Sequence, residues 1–245
     1  PTVPATNALS PATSRAWGDL DGDGDLDLAV GGTDNRVYLN LGVTLATTPI
    51  WTDTVWGNGN SVAWGDLDGD GDLDLAIGIS NYIGSRVYLN VNGRLQSTPV
   101  WMPDDPFATH SVAWGDVDGD GDLDLALGYY DQPNRIYLNE SGRLQTRPIW
   151  LAARSEGTWQ LSWLDAELDG DVDLLAGAAW TEYGAASPSN MLLYSNLGSA
   201  LYPRPVILPA TGAAIAWGAL NGDRLPDGVG NQNFPVAWCG GDNVQ

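Results

Sequence analysis

Residues 61–78 read SVAWGDLDGDGDLDLAIG, and this stretch decides the fold because close copies of it recur along the chain. Its tryptophan belongs to a series at intervals of 47, 50, 49 and 54 residues, namely Trp17, Trp64, Trp114, Trp163 and Trp217. A steady period of about 50 residues is typical of repeat architectures. The sequence therefore predicts one domain over residues 1–245, with repeats at about 13–59, 60–109, 110–158, 159–212 and 213–245.

Each repeat carries the signals of four short strands. In the second repeat, Val62 and Trp64 alternate with small residues, and residues 75–78 are continuous in small or apolar residues. A strand of the second kind is buried on both faces. Residues 87–89 suit a pleated surface, and Pro99 marks the following strand as an edge strand. We therefore predict an all-β fold, a β-propeller of about five four-stranded blades.

The fifth repeat lacks a stretch that corresponds to the proline-containing fourth strand. Residues 1–6 fall where that outer strand would lie, so we expect them to complete the last blade and close the ring. Two alternatives stay open at this point. The chain is part of a larger propeller, or a second chain completes the ring and the protein is an oligomer.

Acidic loops of nine residues follow the first strand of each repeat. The first loop has the pattern DxDxDGxxD over residues 19–27, with carboxylates at positions 1, 3, 5 and 9 and glycine at position 6. Calcium takes about six to eight oxygen ligands in a flexible cage, which alternating aspartates on a tight turn provide. At position 7, Asp25 is expected to offer its backbone carbonyl and to point its side chain at water. The loops contain no histidine or cysteine, which argues against zinc.

Four copies of the loop predict carboxylates that bind calcium. These residues are Asp19, Asp21, Asp23, Asp25, Asp27, Asp66, Asp68, Asp70, Asp72, Asp74, Asp116, Asp118, Asp120, Asp122, Asp124, Asp165, Glu167, Asp169, Asp171 and Asp173. The first three copies keep every position, whereas Glu167 at position 3 predicts a fourth site of altered geometry. A fifth copy keeps only Asn221, Asp223 and Asp227 and has Arg224 at the turn, so we expect it to be weak or empty. Because crowded carboxylates repel one another, calcium is expected to stabilise the fold.

The formal net charge of −21 comes from these loops. Four loops with five acidic residues each, together with Asp223 and Asp227, hold 22 of the 31 acidic residues. An acidic surface repels phosphate, and no apolar run approaches the roughly 20 residues of a spanning helix, so we expect neither nucleic-acid binding nor membrane insertion. The carboxylates recur in the same pattern from repeat to repeat, whereas an enzyme needs one distinguished site. We therefore expect that the protein is not an enzyme.

The acidic loop between the first two strands resembles the FG-GAP-like repeat of integrin alpha-chain propellers and of bacterial secreted proteins. Here Trp-Gly stands in the place of Phe-Gly, and the later part of the motif is reduced to pairs such as Ile77-Gly78. The resemblance covers about residues 13–238. It implies a calcium-binding propeller outside the cell that serves as a recognition or adhesion platform for proteins or glycans.

The loops that differ between repeats are the candidate ligand-binding surface, because a repeat scaffold varies what it presents. Between the second and third strands they carry aromatic residues, namely Tyr82, Tyr129, Tyr130, Trp180 and Tyr183. Such residues stack on sugars or anchor proteins. We predict a protein ligand, with a glycan-binding lectin and a structural module of a larger surface protein as alternatives. His110 is expected to decorate the surface. The repeated tryptophans are expected to lie in the core, both the series that begins at Trp17 and the series Trp51, Trp101 and Trp150.

Overall fold

The computed structural model describes residues 12–55, 57–178, 190–198, 200–208, 215–218 and 227–230, which form β-strands and connecting loops without a helix. The strands of the first repeat are β1 (Ala12–Gly18), β2 (Asp27–Gly32), β3 (Arg36–Tyr38) and β4 (Trp51–Thr52). The second repeat has β5 (Gly59–Gly65), β6 (Asp74–Ile79) and β7 (Arg86–Tyr88). The third repeat has β8 (Thr109–Gly115), β9 (Asp124–Tyr129), β10 (Pro133–Tyr137) and β11 (Trp150–Ser155). The fourth has β12 (Thr158–Leu164), β13 (Asp173–Ala178), β14 (Asn190–Tyr194) and β15 (Val206–Leu208), and β16 (Ile215–Gly218) and β17 (Asp227–Gly230) follow.

Each sheet is an antiparallel meander in which consecutive strands pair. The predicted four strands are confirmed in the first, third and fourth repeats. In the second repeat three strands pair, and a single bridge between Val87 and Trp101 takes the place of the fourth. In the fifth repeat β16 pairs with β17, while its outer part and residues 1–6 lie outside the described residues. Ring closure therefore stays a prediction.

No helix in the described ranges has the length and apolarity needed to cross a bilayer.

The second strand of each sheet is its most buried element. All six residues of β2, β6, β9 and β13 are buried, as the continuous apolar pattern predicted. In the second repeat, Trp64 lies opposite Leu75 and Gly65 lies opposite Asp74. This register places the start and the end of the acidic loop at one end of the sheet.

Consecutive sheets pack through tryptophan and glycine. A Cβ atom on Gly65 would lie 2.6 Å from the Trp114 ring of the next repeat, so only glycine fits beneath that indole. Trp114 Nε1 donates to Ala63 O over 3.3 Å, and Val112 N donates to Ser61 Oγ over 3.1 Å. The corresponding contacts join the first strands of the first and second repeats and of the third and fourth repeats. The first strands of neighbouring sheets therefore lie side by side.

Trp17 is 45% exposed, so the expectation that it lies in the core is wrong. Trp64, Trp114 and Trp163 are partly buried because each covers a glycine of the preceding repeat. No glycine whose surroundings the structure describes lies against Trp17. The side chain of Trp217 lies outside the described residues.

The tryptophans at the outer edges of the first three repeats are buried, as predicted. Trp51 packs edge-on against Tyr88 of the next repeat, with ring centroids 4.8 Å apart. Its Nε1 donates to Gln96 O over 3.0 Å. Trp101 and Trp150 make the same two kinds of contact with the repeats that follow them. Each of the first three sheets is therefore fastened to the next at its first strand and again at its outer edge.

Candidate metal sites

Three of the acidic loops gather their carboxylates into compact groups. Within each group, one carboxylate oxygen of every member lies within 4.8 Å of the others. The groups are Asp19, Asp21 and Asp27, then Asp66, Asp68 and Asp70, then Asp116, Asp118 and Asp124. Each group lies in the loop after the first strand of its repeat, and Asp27 and Asp124 are also the first residues of their second strands. The first three loops therefore bring predicted metal ligands together.

The loop backbone folds around the aspartate at position 1. Asp19 Oδ1 accepts a hydrogen bond from Gly22 N over 2.8 Å, and Asp19 Oδ2 accepts one from Gly24 N over 2.9 Å. Gly22 and Gly24 have φ angles of 74° and 92°, in the left-handed region that favours glycine. The second and third loops repeat these bonds. Sequence reasoning singled out the glycine at position 6 and missed the one at position 4, although all three loops carry it.

The aspartate at position 9 is buried and ties the loop to two strands. Asp27 Oδ2 accepts a hydrogen bond from Leu20 N over 2.9 Å, and Asp27 Oδ1 accepts one from Asn40 N over 2.7 Å. The other three loops contain the same pair of bonds at Asp74, Asp124 and Asp173. Two backbone N–H groups therefore hold this carboxylate in each of the four loops.

The aspartates at position 7 bind the turn between the third and fourth strands. Asp72 Oδ2 accepts a hydrogen bond from Asn92 N, and Asp122 Oδ2 accepts one from Ser141 N, both over 2.9 Å. In the second and third loops the position-7 side chain is therefore held by protein, whereas the expectation that the Asp25 side chain points at water stays a prediction. Asn92 and Ser141 have positive φ angles of 52° and 53°, and the tight turn that they form presents a backbone N–H to the carboxylate.

The fourth loop differs from the first three. Glu167 does not belong to a compact carboxylate group within the described part of the chain. Partial burial, a hydrogen bond with Asp173 and nearby charges raise the pKa of Glu167 to about 7. Leu168 stands where the other loops have glycine, and its φ of 58° costs on the order of 1 kcal/mol. The fourth site stays a prediction, and the side chains of Asn221, Asp223 and Asp227 in the fifth copy lie outside the described residues.

A cation would relieve the electrostatic cost of these acidic loops. Burial raises the pKa of Asp74 and of Asp124 to about 6, and neighbouring aspartates add to the effect. The groups offer only carboxylate oxygens, a ligand set that suits calcium and does not suit zinc. A bound divalent ion would replace mutual repulsion by attraction. The residues of the three groups therefore fit a calcium ion.

The calcium-free protein is expected to gain stability when the pH falls from about 7 to about 5. Asp74 and Asp124 have a pKa of about 6 in the folded chain, above the ordinary 3.8, so their protonation favours the folded state. This contribution is complete below the ordinary pKa and is lost as the pH rises through about 6. With saturating calcium the sign reverses, because protons displace the ion.

Thermal unfolding midpoints at the two pH values measure this effect, on protein stripped with a chelating resin and on protein with calcium restored. The double variant Asp74→Asn/Asp124→Asn is the control, and its calcium-free midpoint is expected to depend less on pH. A calcium-free wild-type midpoint that falls on acidification contradicts the prediction.

The predicted ligand-binding tyrosines separate into buried and exposed residues. Tyr129 is fully buried, its hydroxyl lies 3.3 Å from the Tyr137 hydroxyl, and its ring packs edge-on against Phe107. Tyr129 is therefore a core residue and not a contact for a ligand. Tyr82 and Tyr130 are exposed, and their role as ligand contacts stays a prediction. Trp180 and Tyr183 lie outside the described residues.

His110, Tyr130 and Trp159 form a surface cluster that we call the aromatic patch. His110 stacks on Tyr130 with ring centroids 5.4 Å apart, and Trp159 meets both rings edge-on at 4.7 and 5.5 Å. Next to the patch, Tyr82 donates from its hydroxyl to Asp131 Oδ2 over 2.7 Å. His110 lies half-buried in β8, where burial lowers its pKa, and it contributes to this cluster instead of being an isolated surface residue.

Trp159 was missed by sequence reasoning, although a signal existed. The register of the first and second strands shows that Asn60, His110 and Trp159 occupy equivalent positions in consecutive repeats. A position that varies in this way within a repeated strand indicates presentation to solvent or to a ligand. The aromatic patch also lies at the end of the sheets opposite the acidic loops, because β8 begins beside it and ends at the third loop.

Comparison with known proteins agrees with this organisation. No curated protein matches the chain. The FG-GAP-like repeat family is matched over residues 19–77, 78–127 and 117–176, and these segments contain all four of the acidic loops that carry five carboxylates. The matched segments cover more than half of the 245 residues. The chain therefore belongs to the FG-GAP-like repeat family.

Proposed function

We propose that this chain is a calcium-stabilised recognition or adhesion propeller that works outside the cell. The observation that carries the proposal is the recurrence of compact aspartate groups in three consecutive repeats. An isolated acidic turn is often only solvated, whereas the same arrangement in three repeats indicates a common ligand. FG-GAP-like repeats are typical of extracellular proteins and of propellers.

The proposed role of calcium is structural. An extracellular module binds calcium with a Kd of roughly 10⁻⁴ M, and about 1 mM free ion then contributes on the order of 1.4 kcal/mol per site. The acidic loops contact both the second strand and the turn after the third strand, so an ion at this point stabilises most of its sheet. Magnesium is a poorer fit, because it demands a stricter octahedron of ligands.

The proposed architecture is a ring of five four-stranded blades. Support comes from the recurring contacts between sheets, in which the tryptophan of each later repeat covers the glycine of the earlier one. The same geometry applied from one sheet to the next turns the chain about an axis along the first strands. A larger ring and a ring completed by a second chain are the alternatives. A measurement of mass in solution separates the ring completed by a second chain from a closed monomer.

The aromatic patch is the proposed contact surface for a protein partner. Tyr130 and Trp159 expose 42% and 44% of their area, and interfaces are enriched in such amphipathic rings. The patch lies away from the acidic loops, so binding there leaves the calcium ligands undisturbed. FG-GAP-like repeats are typically non-enzymatic, in agreement with a role in recognition.

A glycan is the second candidate ligand. Exposed aromatic rings beside the carboxylate of Asp131 offer the stacking and hydrogen bonding that sugars use. A repeat lectin is expected to carry equivalent sites in several blades. The aromatic patch instead draws three unlike residues from two neighbouring repeats, which favours a protein.

A calorimetric titration of calcium-free protein tests the metal sites. We expect at least three calcium ions to bind, with a Kd on the order of 10⁻⁴ M. Asp116→Asn with Asp118→Asn is expected to remove one ion, whereas Asp34→Asn, an exposed aspartate outside the acidic loops, should remove none. Fewer than three bound ions in the wild type would contradict the proposal.

Arrays of secreted proteins and of glycans, probed with the same protein in calcium, test the ligand. Trp159→Ala is expected to lower binding to a protein hit at least tenfold. The matched control is Tyr202→Ala, which removes another exposed aromatic residue, in the turn after β14. Binding confined to glycans supports the lectin, and binding that Tyr202→Ala lowers as much as Trp159→Ala removes the aromatic patch as the site.

A further inference from the structure

A hydrogen-bond chain joins the acidic loops of neighbouring repeats. Leu20 N donates to Asp27 Oδ2 over 2.9 Å, and Leu20 O accepts from Asn90 Nδ2 over 2.7 Å. Asn90 N donates in turn to Asp74 Oδ1 over 2.7 Å. The aspartate at position 9 of the first loop is thus connected to that of the second loop through only two residues.

The same link recurs between the later repeats. Leu67 O accepts from Asn139 Nδ2, and Val117 O accepts from Asn196 Nδ2, both over 2.7 Å. The backbone N–H of each asparagine donates to the position-9 aspartate of its own loop. Asn90, Asn139 and Asn196 are each 1% exposed, so water does not compete for these bonds. Four acidic loops therefore share one buried network.

Each of these asparagines also braces the loop of its own repeat. Asn90 Nδ2 lies 3.3 Å from Leu73 O at position 8 of the second loop, so one amide group holds two loops at once. The next turn also packs directly on the first loop, because a Cβ atom on Gly93 would lie 3.0 Å from the Cα and Cβ atoms of Asp21. Order in one loop therefore restricts the conformations of the next.

We infer that neighbouring loops bind calcium cooperatively and that Asn90, Asn139 and Asn196 are the positioning residues that couple them. This inference rests on the proposed function, in which the loops hold calcium. A loop that has bound its ion fixes the carbonyl at position 2, and that carbonyl fixes the asparagine of the next repeat. The next loop then loses less conformational freedom on binding its own ion. Occupancy of one loop is expected to raise the affinity of its neighbour about fivefold or more.

Hydrogen exchange followed by mass spectrometry across a calcium titration gives a separate midpoint for each loop. Asp19→Asn with Asp21→Asn disables the first loop with neutral side chains of the same shape. In this variant the midpoint of residues 66–74 is expected to move about fivefold to higher calcium, with a smaller shift at residues 116–124. A second-loop midpoint within about twofold of the wild type overturns the inference.

Serine at the asparagine positions identifies the coupling residue. When Asn90→Ser is present, disabling the first loop is expected to leave the second-loop midpoint unchanged. Asn139→Ser is expected to remove the coupling between the second and third loops instead. Asn40→Ser is the matched control, because the Asn40 side chain donates to no loop carbonyl among the described residues. If the asparagines have a purely structural role, all three variants are less stable, and the coupling between neighbouring loops is lost in none of them.

The loop-disabling comparison keeps the asparagines intact, so it decides the inference even if Asn90→Ser does not fold. Its outcomes also separate the two proposals. Loops that gain no protection at any calcium concentration contradict the proposed function and the coupling together. Loops that each gain protection with independent midpoints contradict the coupling alone.

Discussion

Removal of calcium is expected to lower the thermal unfolding midpoint by about 8–16 °C. Three sites at about 1.4 kcal/mol each give roughly 4 kcal/mol, and in a domain of this size each kcal/mol shifts the midpoint by about 2–4 °C. The physical reason is that the compact carboxylate groups repel one another when no ion is present, and that the same loops join neighbouring sheets. Differential scanning calorimetry with 1 mM calcium and then with excess EGTA at pH 7 measures the shift.

Magnesium at the same concentration is the ionic control and is expected to restore less than half of the lost stability. Asp34→Asn is the matched variant, because Asp34 is an exposed aspartate outside the acidic loops and its removal should leave the calcium-dependent shift unchanged. A midpoint that is the same in calcium and in EGTA would show that the groups do not hold an ion that matters to folding.

Arg86→Met is expected to destabilise the protein by about 3–5 kcal/mol. Arg86 Nη1 lies 2.8 Å from Asp53 Oδ2, and both side chains are at most 1% exposed. Tyr88 donates from its hydroxyl to the other oxygen of Asp53 over 2.6 Å. Asp53 belongs to the first repeat and Arg86 to the second, so the substitution leaves a buried carboxylate without its cation between two sheets. Urea unfolding at saturating calcium measures the loss.

Arg147→Met is the matched control for this substitution. Arg147 Nε lies 3.2 Å from Asp104 Oδ2, but its side chain is 87% exposed, so the loss is expected to be below about 1 kcal/mol. If the two variants unfold at the same urea concentration, burial does not set the strength of the Arg86 ion pair.

The parts of the fold that sequence reasoning predicted are those in which one local pattern permits one solution. A continuous run of small and apolar residues, such as residues 75–78, indicates a strand that is buried on both faces. All of β6 is buried, in agreement with this pattern. The DxDxDGxxD spacing likewise forces carboxylates together around a glycine turn. These features depend on neighbours close in the chain, and close neighbours are visible in the sequence.

The parts that it did not predict depend on how one sheet meets the next. Tyr129 and Tyr130 are adjacent in the sequence, and both were predicted to lie in a variable loop. Tyr129 is instead the last residue of the buried strand β9, and Tyr130 is the first residue outside it. His110 and Trp159 are far apart in the chain and meet because the first strands of two repeats lie side by side. The hydrogen bond between Asp72 and the turn at Asn92 was not predicted for a similar reason, because the two residues are distant in the sequence.

Each kind of contact between neighbouring repeats has the same direction at every described junction. The asparagine that bridges two loops belongs to the later repeat, and the carbonyl that it binds belongs to the earlier one. The indole on the first strand also belongs to the later repeat, and the glycine that it covers belongs to the earlier one. A whole unit of about 50 residues can therefore be duplicated or deleted in a gene without leaving mismatched surfaces between the remaining units, whereas loss of half a unit spoils both junctions. Repeat number is thus a property that evolution and protein engineering can change one unit at a time.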